Sequence, residues 1–112
     1  MKIWKLTTPN TLERQTTDDL KISAGLSKVK ITKALVSDSD GAVFCGATRV
    51  KYPIIPGRFA IGQVTETAED TYLKRGDKVY LSPSFENELS ELGFDFAGKD
   101  VDGYYRDFAL AT

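Results

Sequence analysis

Short runs of β-type residues, each cut off within a few positions by a glycine, proline, asparagine or aspartate turn, dominate this chain. That spacing reads as an all-β sandwich or barrel, because no run is long enough for a parallel βαβ unit or a helical bundle. Lys2–Leu6 forms the first segment and stops at Thr8-Pro9-Asn10; Leu12–Thr16 is its partner across that turn. Lys28–Leu35 alternates, with Val29, Ile31 and Lys33 on one face and Lys30, Thr32 and Ala34 on the other. Gly62–Thr67 reads as a further strand, Lys78–Leu81 follows the turn Arg75-Gly76-Asp77, and Tyr104–Leu110 closes the series. One segment has helical spacing instead. Phe85, Leu89 and Leu92 recur at intervals of four and three, Pro83 and Ser84 stand at the entrance, and Gly93 follows as a stop. Asp38–Pro56 reads as a long loop, the place where chemistry concentrates in compact domains.

With 112 residues there is room for one domain with a modest core, spanning residues 1–112. The formal net charge of -1 gives no field that would draw the chain to nucleic acid or to an anionic membrane. No apolar stretch approaches the ~20 residues that span a bilayer. The first residues also lack the long apolar run and cleavage site of a secretion signal, so a cytoplasmic location is expected. The single cysteine, Cys45, excludes an internal disulfide.

There is no histidine. That removes Ser-His-Asp and Cys-His catalysis from the chain, and with one cysteine it removes the ligands of a structural zinc site. Asp38-Ser39-Asp40-Gly41 is the only local candidate for a hard-ion loop, and it lacks the remaining ligand positions of a calcium site. No metal is expected.

Five segments, in order, resemble the N-terminal half of the medium-chain alcohol dehydrogenase and reductase family. Lys28-Val29-Lys30-Ile31-Thr32-Lys33-Ala34 is similar to the family's alternating strand before the active-site loop. Leu35-Val36-Ser37-Asp38-Ser39-Asp40 lies where the family writes Gly-Ile-Cys-Gly-Ser/Thr-Asp. Tyr52-Pro53-Ile54-Ile55-Pro56-Gly57-Arg58-Phe59-Ala60-Ile61-Gly62 lies over Tyr-Pro-x-x-Pro-Gly-His-Glu-x-x-Gly. Leu73-Lys74-Arg75-Gly76-Asp77-Lys78-Val79 matches a Val-Gly-Asp-Arg-Val turn, and Asp102–Ala109 looks like the Gly-Gly-Phe-Ala-Glu-Tyr strand. The resemblance covers essentially the whole chain. It implies a GroES-like, partly open β-barrel with one short helix.

The departures from those motifs change what else the resemblance implies. Zinc-using members hold the catalytic metal with the Cys and His of those motifs, with the Glu close by; the corresponding residues here are Ser37, Arg58 and Phe59. A serine hydroxyl is a poor zinc ligand, and an arginine has no lone pair to offer. The four closely spaced cysteines of the family's structural zinc are missing from residues 82–102, where Phe85, Leu89, Leu92, Phe94 and Phe96 are expected to organise the lobe by packing. Ser39 and Asp40 match the family's catalytic hydroxyl and the aspartate behind the metal, so the resemblance gives them catalytic roles. Ser37, Arg58 and Phe59 become candidate substrate contacts, with Arg58 facing the same concavity as Ser37 and Ser39. A turn-forming role for Asp40, bonding local amides, is the simpler alternative.

The implied activity is that of the substrate-side domain of an NAD(P)-dependent oxidoreductase for an alcohol, aldehyde or other carbonyl compound. Gly57 and Gly62 do not open a helix, so no dinucleotide is expected to bind this chain, and the chain alone is expected to be inactive. A nucleotide-binding Rossmann domain would be its partner. The surface left without that partner would be apolar, near the Cys45–Pro56 loop or the last strand, with Tyr105, Phe108 or Leu110 as members and a homodimer as one outcome. Two other classes fit the same residues: a non-catalytic binding or structural module, and a co-chaperonin-like barrel.

Overall fold

The computed structural model describes residues 1–69 and 71–111. In chain order it contains β1 (Lys2–Thr8), β2 (Thr11–Thr16), β3 (Ser27–Leu35), α1 (Asp38–Phe44), β4 (Phe59–Thr67), β5 (Lys78–Leu81), β6 (Ser84–Glu86), β7 (Phe94–Phe96) and β8 (Phe108–Ala111). A four-stranded sheet in the order β5-β4-β3-β8 is the body of the domain, with β1-β2 and β6-β7 as separate two-stranded ribbons. The pairings between these named strands are all antiparallel, and the sheets stay open. The mainly β, partly open architecture with one short helix read from the sequence is what the described residues adopt.

The four-stranded sheet buries Val29, Ala60, Val64, Leu81 and Ala109 on one face, together with Ala97 and Tyr104. Val29 and Val64 are fully enclosed, and such side chains stabilise by roughly 1.5–3 kcal/mol each. A second cluster of Leu6, Val43 and Ile54 joins β1 to α1 and to the loop that follows it. Backbone bonds reinforce that junction: Leu6 N donates to Ile54 O at 2.7 Å, and Ile54 N donates back at 3.1 Å. The outer edge of β1 is tied to the far end of the chain. Trp4 N donates to Tyr105 O (2.8 Å), Asp107 N to Lys2 O (2.9 Å), and Lys2 N to the Asp107 Oδ2 (2.7 Å).

The alternation along β3 holds only from Val29 to Ile31, since Ser27 and Lys28 are both buried before it. Ile31 pairs with Gly62 and Lys33 with Ile61, so Thr32 is the extra residue of a bulge. Beyond it, residues 32–35 are all exposed and Lys33 does not share the buried face of Val29.

Four other expectations need correction. The segment with helical spacing is the β6-β7 hairpin, whose turn is held by polar bonds: Asn87 Nδ2 donates to the Asp95 carboxylate at 2.8 Å, and the Ser90 hydroxyl donates to its other oxygen. Leu89 is 97% exposed and Leu92 70%, so there is no apolar stripe to bury, and eight residues without one do not sustain a helix. Phe85 and Phe94 are exposed as well, so packing does not organise this lobe; only Phe96 is half-buried. Among the described residues the one α-helix lies instead at the start of the supposed long loop, at Asp38–Phe44. The final strand is shorter than Tyr104–Leu110, because Gly103, Tyr104 and Tyr105 spend their amides on Ile55, Gly57 and Pro56 carbonyls.

Candidate functional site

Ser37 leaves β3 in an extended conformation (φ -108°, ψ 169°) and caps α1. Asp40, at the third helical position, reaches back so that its Oδ2 accepts the Ser37 amide at 3.0 Å and the Ser37 hydroxyl at 2.9 Å. An acidic residue at this position satisfies an amide that the helix leaves free and complements the helix dipole. The local-amide role expected of Asp40 is therefore present. It is only half of what the side chain does.

Asp40 is 6% exposed and also accepts from two distant groups: the Arg58 amide on Oδ1 at 3.1 Å, and the Tyr105 hydroxyl on Oδ2 at 3.2 Å. Three committed donors and the shared Tyr105 hydroxyl converge on one buried carboxylate, which thereby joins α1, the entrance of β4 and the segment before β8. The Tyr105 hydroxyl has one proton, which it shares between Asp40 and the Leu35 carbonyl at 3.1 Å. Burial, then the charge and hydrogen bond of Asp40, push the Tyr105 phenol well above its ordinary range. It stays protonated and acts as a donor, never as a base.

Glycine makes the close approach possible. Gly57 has φ +109°, and a Cβ there would come within 2.7 Å of the Tyr105 ring. A Cβ on Gly103 would overlap the Gly57 carbonyl oxygen.

The serine pair has a direction. An ionised carboxylate only accepts, so the one proton of Ser37 Oγ is committed to Asp40. The Ser37 and Ser39 oxygens are 2.7 Å apart, and with the Ser37 proton already used, Ser39 is the donor between them. The lone pairs of Ser39 remain free to accept from a hydroxyl outside.

Ser37, Ser39, Asp40 and the backbone of Arg58 thus meet in one place. The Arg58 side chain goes elsewhere: its guanidinium lies over the Phe96 ring, 4.7 Å from the centroid, and its Nε is buried without a hydrogen-bond partner. It bonds to neither serine. Phe59, 39% exposed, lines a groove of ≈ 740 Å³ with Leu35, Tyr80, Leu81 and Pro83. The large exposed apolar side chains include Leu35, Val36, Phe59 and Tyr80, whereas Tyr105, Phe108 and Leu110 are half-buried. Exposed apolar side chains thus occur on the β3-β4-β5 side, at Trp4, Leu12 and Val36, and at Phe44 just before the Cys45–Pro56 loop, whereas the three residues named on the final strand are not among them. Tyr105 is the site residue that the sequence did not reveal; it stands 65 positions from Asp40, and no local signal connects them.

The geometry can be set beside known proteins. The family model for the alcohol dehydrogenase GroES-like domain matches residues 23–112. No curated protein matches the sequence. Among solved structures, galactitol-1-phosphate dehydrogenase from Escherichia coli superposes with a TM-score of 0.86 at 19% identity, over 100% of this chain and 36% of that enzyme. A short chain alcohol dehydrogenase from E. coli CFT073, complexed with NADH, gives 0.85 at 22% identity, over 99% of this chain and 36% of that one. A thermostable alcohol dehydrogenase from Pyrobaculum aerophilum gives 0.82 at 22%, over 99% and 38%. The chain spans little more than a third of the length of these enzymes. By fold and by family model, it belongs to the alcohol dehydrogenase GroES-like domain family.

Proposed function

We propose that this chain is the substrate-side domain of a zinc-independent, NAD(P)-dependent oxidoreductase acting on an alcohol or its carbonyl product. The observation that carries this reading is the Asp40-centred cluster, which places the Ser39 oxygen at the end of a polarised hydrogen-bond chain. An alcohol hydroxyl donating to Ser39 would be held in one orientation. In the reverse direction, a rotation of the two serine hydroxyls would let Ser39 donate to a carbonyl oxygen.

The residues here do not fit a zinc ion. Ser37 Oγ gives its proton to Asp40, both oxygens of Asp40 already accept hydrogen bonds, and Arg58 is a fixed cation. Among the described residues, no three His, Cys, Asp or Glu side chains converge. Nor does any strand run through a glycine-rich turn into a helix suited to a dinucleotide, so hydride acceptance would belong to a Rossmann partner outside this chain. Without it the chain is inactive. Cytoplasmic location fits such an enzyme, and no helix among the described residues is long and apolar enough to cross a membrane.

The test is expression of the natural reading frame that contains residues 1–112, assayed by nicotinamide absorbance with alcohols and aldehydes. Activity that persists in chelator and falls at least tenfold in Ser39→Ala is expected. Absence of nicotinamide turnover would instead favour a non-catalytic binding module, and activity abolished by chelator would sink the zinc-independent reading.

A further inference from the structure

A second cavity, of ≈ 610 Å³, opens between the β1-β2 ribbon and the segment Tyr104–Asp107. Only Tyr105 is shared with the Asp40 cluster, so a ligand held in this cavity is independent of the oxidoreductase reading. Its volume lies within the range of small-molecule sites. Its walls are of two kinds. Trp4 (42% exposed), Leu12 and Val36 present apolar surface to solvent. Arg106, Arg14 and Lys2 bring three cationic side chains, against the single carboxylate of Asp107.

That carboxylate is already engaged, since its Oδ2 accepts the Lys2 amide. Arg106 is the anomaly. Its Nε is sealed from solvent with no hydrogen-bond partner, and its guanidinium makes no ion pair within 4.0 Å among the described residues. Burial draws it below the ordinary arginine range, with the Asp102 charge and Tyr104 opposing that shift only in part. Asp102 is meanwhile committed to the Ile55 amide at 3.0 Å. Arg14 also lacks an ion-pair partner among the described residues. A buried donor without a partner is costly, and a planar guanidinium is the side chain best suited to a carboxylate.

We propose that this cleft binds a small carboxylate carrying a flat apolar body, its acid on Arg106 and Arg14 and its body along Trp4 and Leu12. The acid fits two guanidinium groups that have no ion-pair partner within 4.0 Å among the described residues. The body fits the exposed indole, which stacks at low cost in conformational entropy. The positive excess of the lining disfavours cations, and the apolar wall gives a simple inorganic anion little to hold.

Trp4 is the only tryptophan, so its fluorescence reports this cleft directly. The experiment titrates the 112-residue chain with 3-phenylpropionate, its neutral amide, and acetate. Saturable change with the phenylpropionate is expected, at least tenfold weaker with the amide, which keeps the ring, and with acetate, which keeps the acid. Added salt should weaken binding. Arg106→Gln and Arg14→Gln should each weaken it at least fivefold. Because Arg106→Gln removes a buried donor that has no partner, its unfolding midpoint should equal or exceed that of the parent. If that variant fails to fold, Arg14→Gln on the exposed face of β2 decides the matter. Equal affinity for acid and amide, no saturable change up to about 10 mM, or folded arginine variants that bind like the parent would overturn the assignment.

Discussion

Replacing Asp40 by alanine removes the acceptor of the Ser37 amide, the Ser37 hydroxyl and the Arg58 amide, and one of the two acceptors of the Tyr105 hydroxyl. Hydrogen bonds to a charged group contribute about 1.5–3 kcal/mol each, which taken additively would exceed the stability of many small domains. The true loss is smaller. Ser37, Arg58 and Tyr105 are each only half-buried, so water can enter the vacated space and replace part of what is lost. Loss of the helix cap alone accounts for about 1 kcal/mol. Stranding the Arg58 amide adds about as much again, whereas the Tyr105 hydroxyl keeps the Leu35 carbonyl as acceptor, giving about 2–3 kcal/mol in total. Asparagine sharpens the test because it keeps the shape. Its oxygen can take the three donors now on Oδ2, but its amide nitrogen then faces the Arg58 N–H, donor against donor, at about 2 kcal/mol. Urea unfolding followed by Trp4 emission and far-ultraviolet circular dichroism measures both variants. A loss under about 1 kcal/mol for Asp40→Ala, or a larger loss for Asn than for Ala, would refute the view that this carboxylate holds three segments together.

Three further outcomes are expected. The Tyr105 phenol ionises less readily folded than unfolded, so the stability linked to it is full below its ordinary value of 10.0 and declines as pH rises above that. Tyr105→Phe should flatten that alkaline decline relative to the parent, and identical slopes would count against the buried donor. Gly57→Ala combines a left-handed backbone with a Cβ 2.7 Å from the Tyr105 ring, and should cost at least about 2 kcal/mol in the same unfolding assay; a neutral result would mean that the ring moves freely. Leu89→Ser and Leu92→Ser should each change stability by no more than about 0.5 kcal/mol, whereas a helix packed on the barrel would lose several times that.

The strands were legible where turn residues bracket β-type residues tightly. Lys78–Leu81 is bounded as the turn Arg75-Gly76-Asp77 implies, and β1 pairs with β2 across Pro9 and Asn10 as expected. The helix was not legible, because Asp38, Ser39, Asp40 and Gly41 are all turn residues by propensity and the element is only seven residues long. What makes them helical is tertiary: Val43 packs on Leu6 and Ile54, and Asp40 finds partners outside its own segment. The opposite error at Phe85–Leu92 has the same origin. Three apolar residues at helical spacing have no surface to bury against, so the polar bonds of Asn87, Ser90 and Asp95 set the local structure. Ser37, Ser39 and Asp40 could be placed together from a motif, whereas the direction taken by the Arg58 side chain depended on Phe96, which lies 38 positions further along the chain.

The buried carboxylate of Asp40 also carries a consequence for the order of folding. Its bonds close sequence intervals of 3, 18 and 65 residues. The shortest forms with the first turn of α1, but the longest requires that most of the chain already be in place. Each larger interval brings its own loss of chain freedom, which one hydrogen bond at the surface would not repay and which the sheet between Asp40 and Tyr105 must offset first. The cluster therefore completes late. A chain with its serines aligned is a chain already folded around them, and partly folded forms present neither the oriented Ser39 oxygen nor the sealed aspartate behind it.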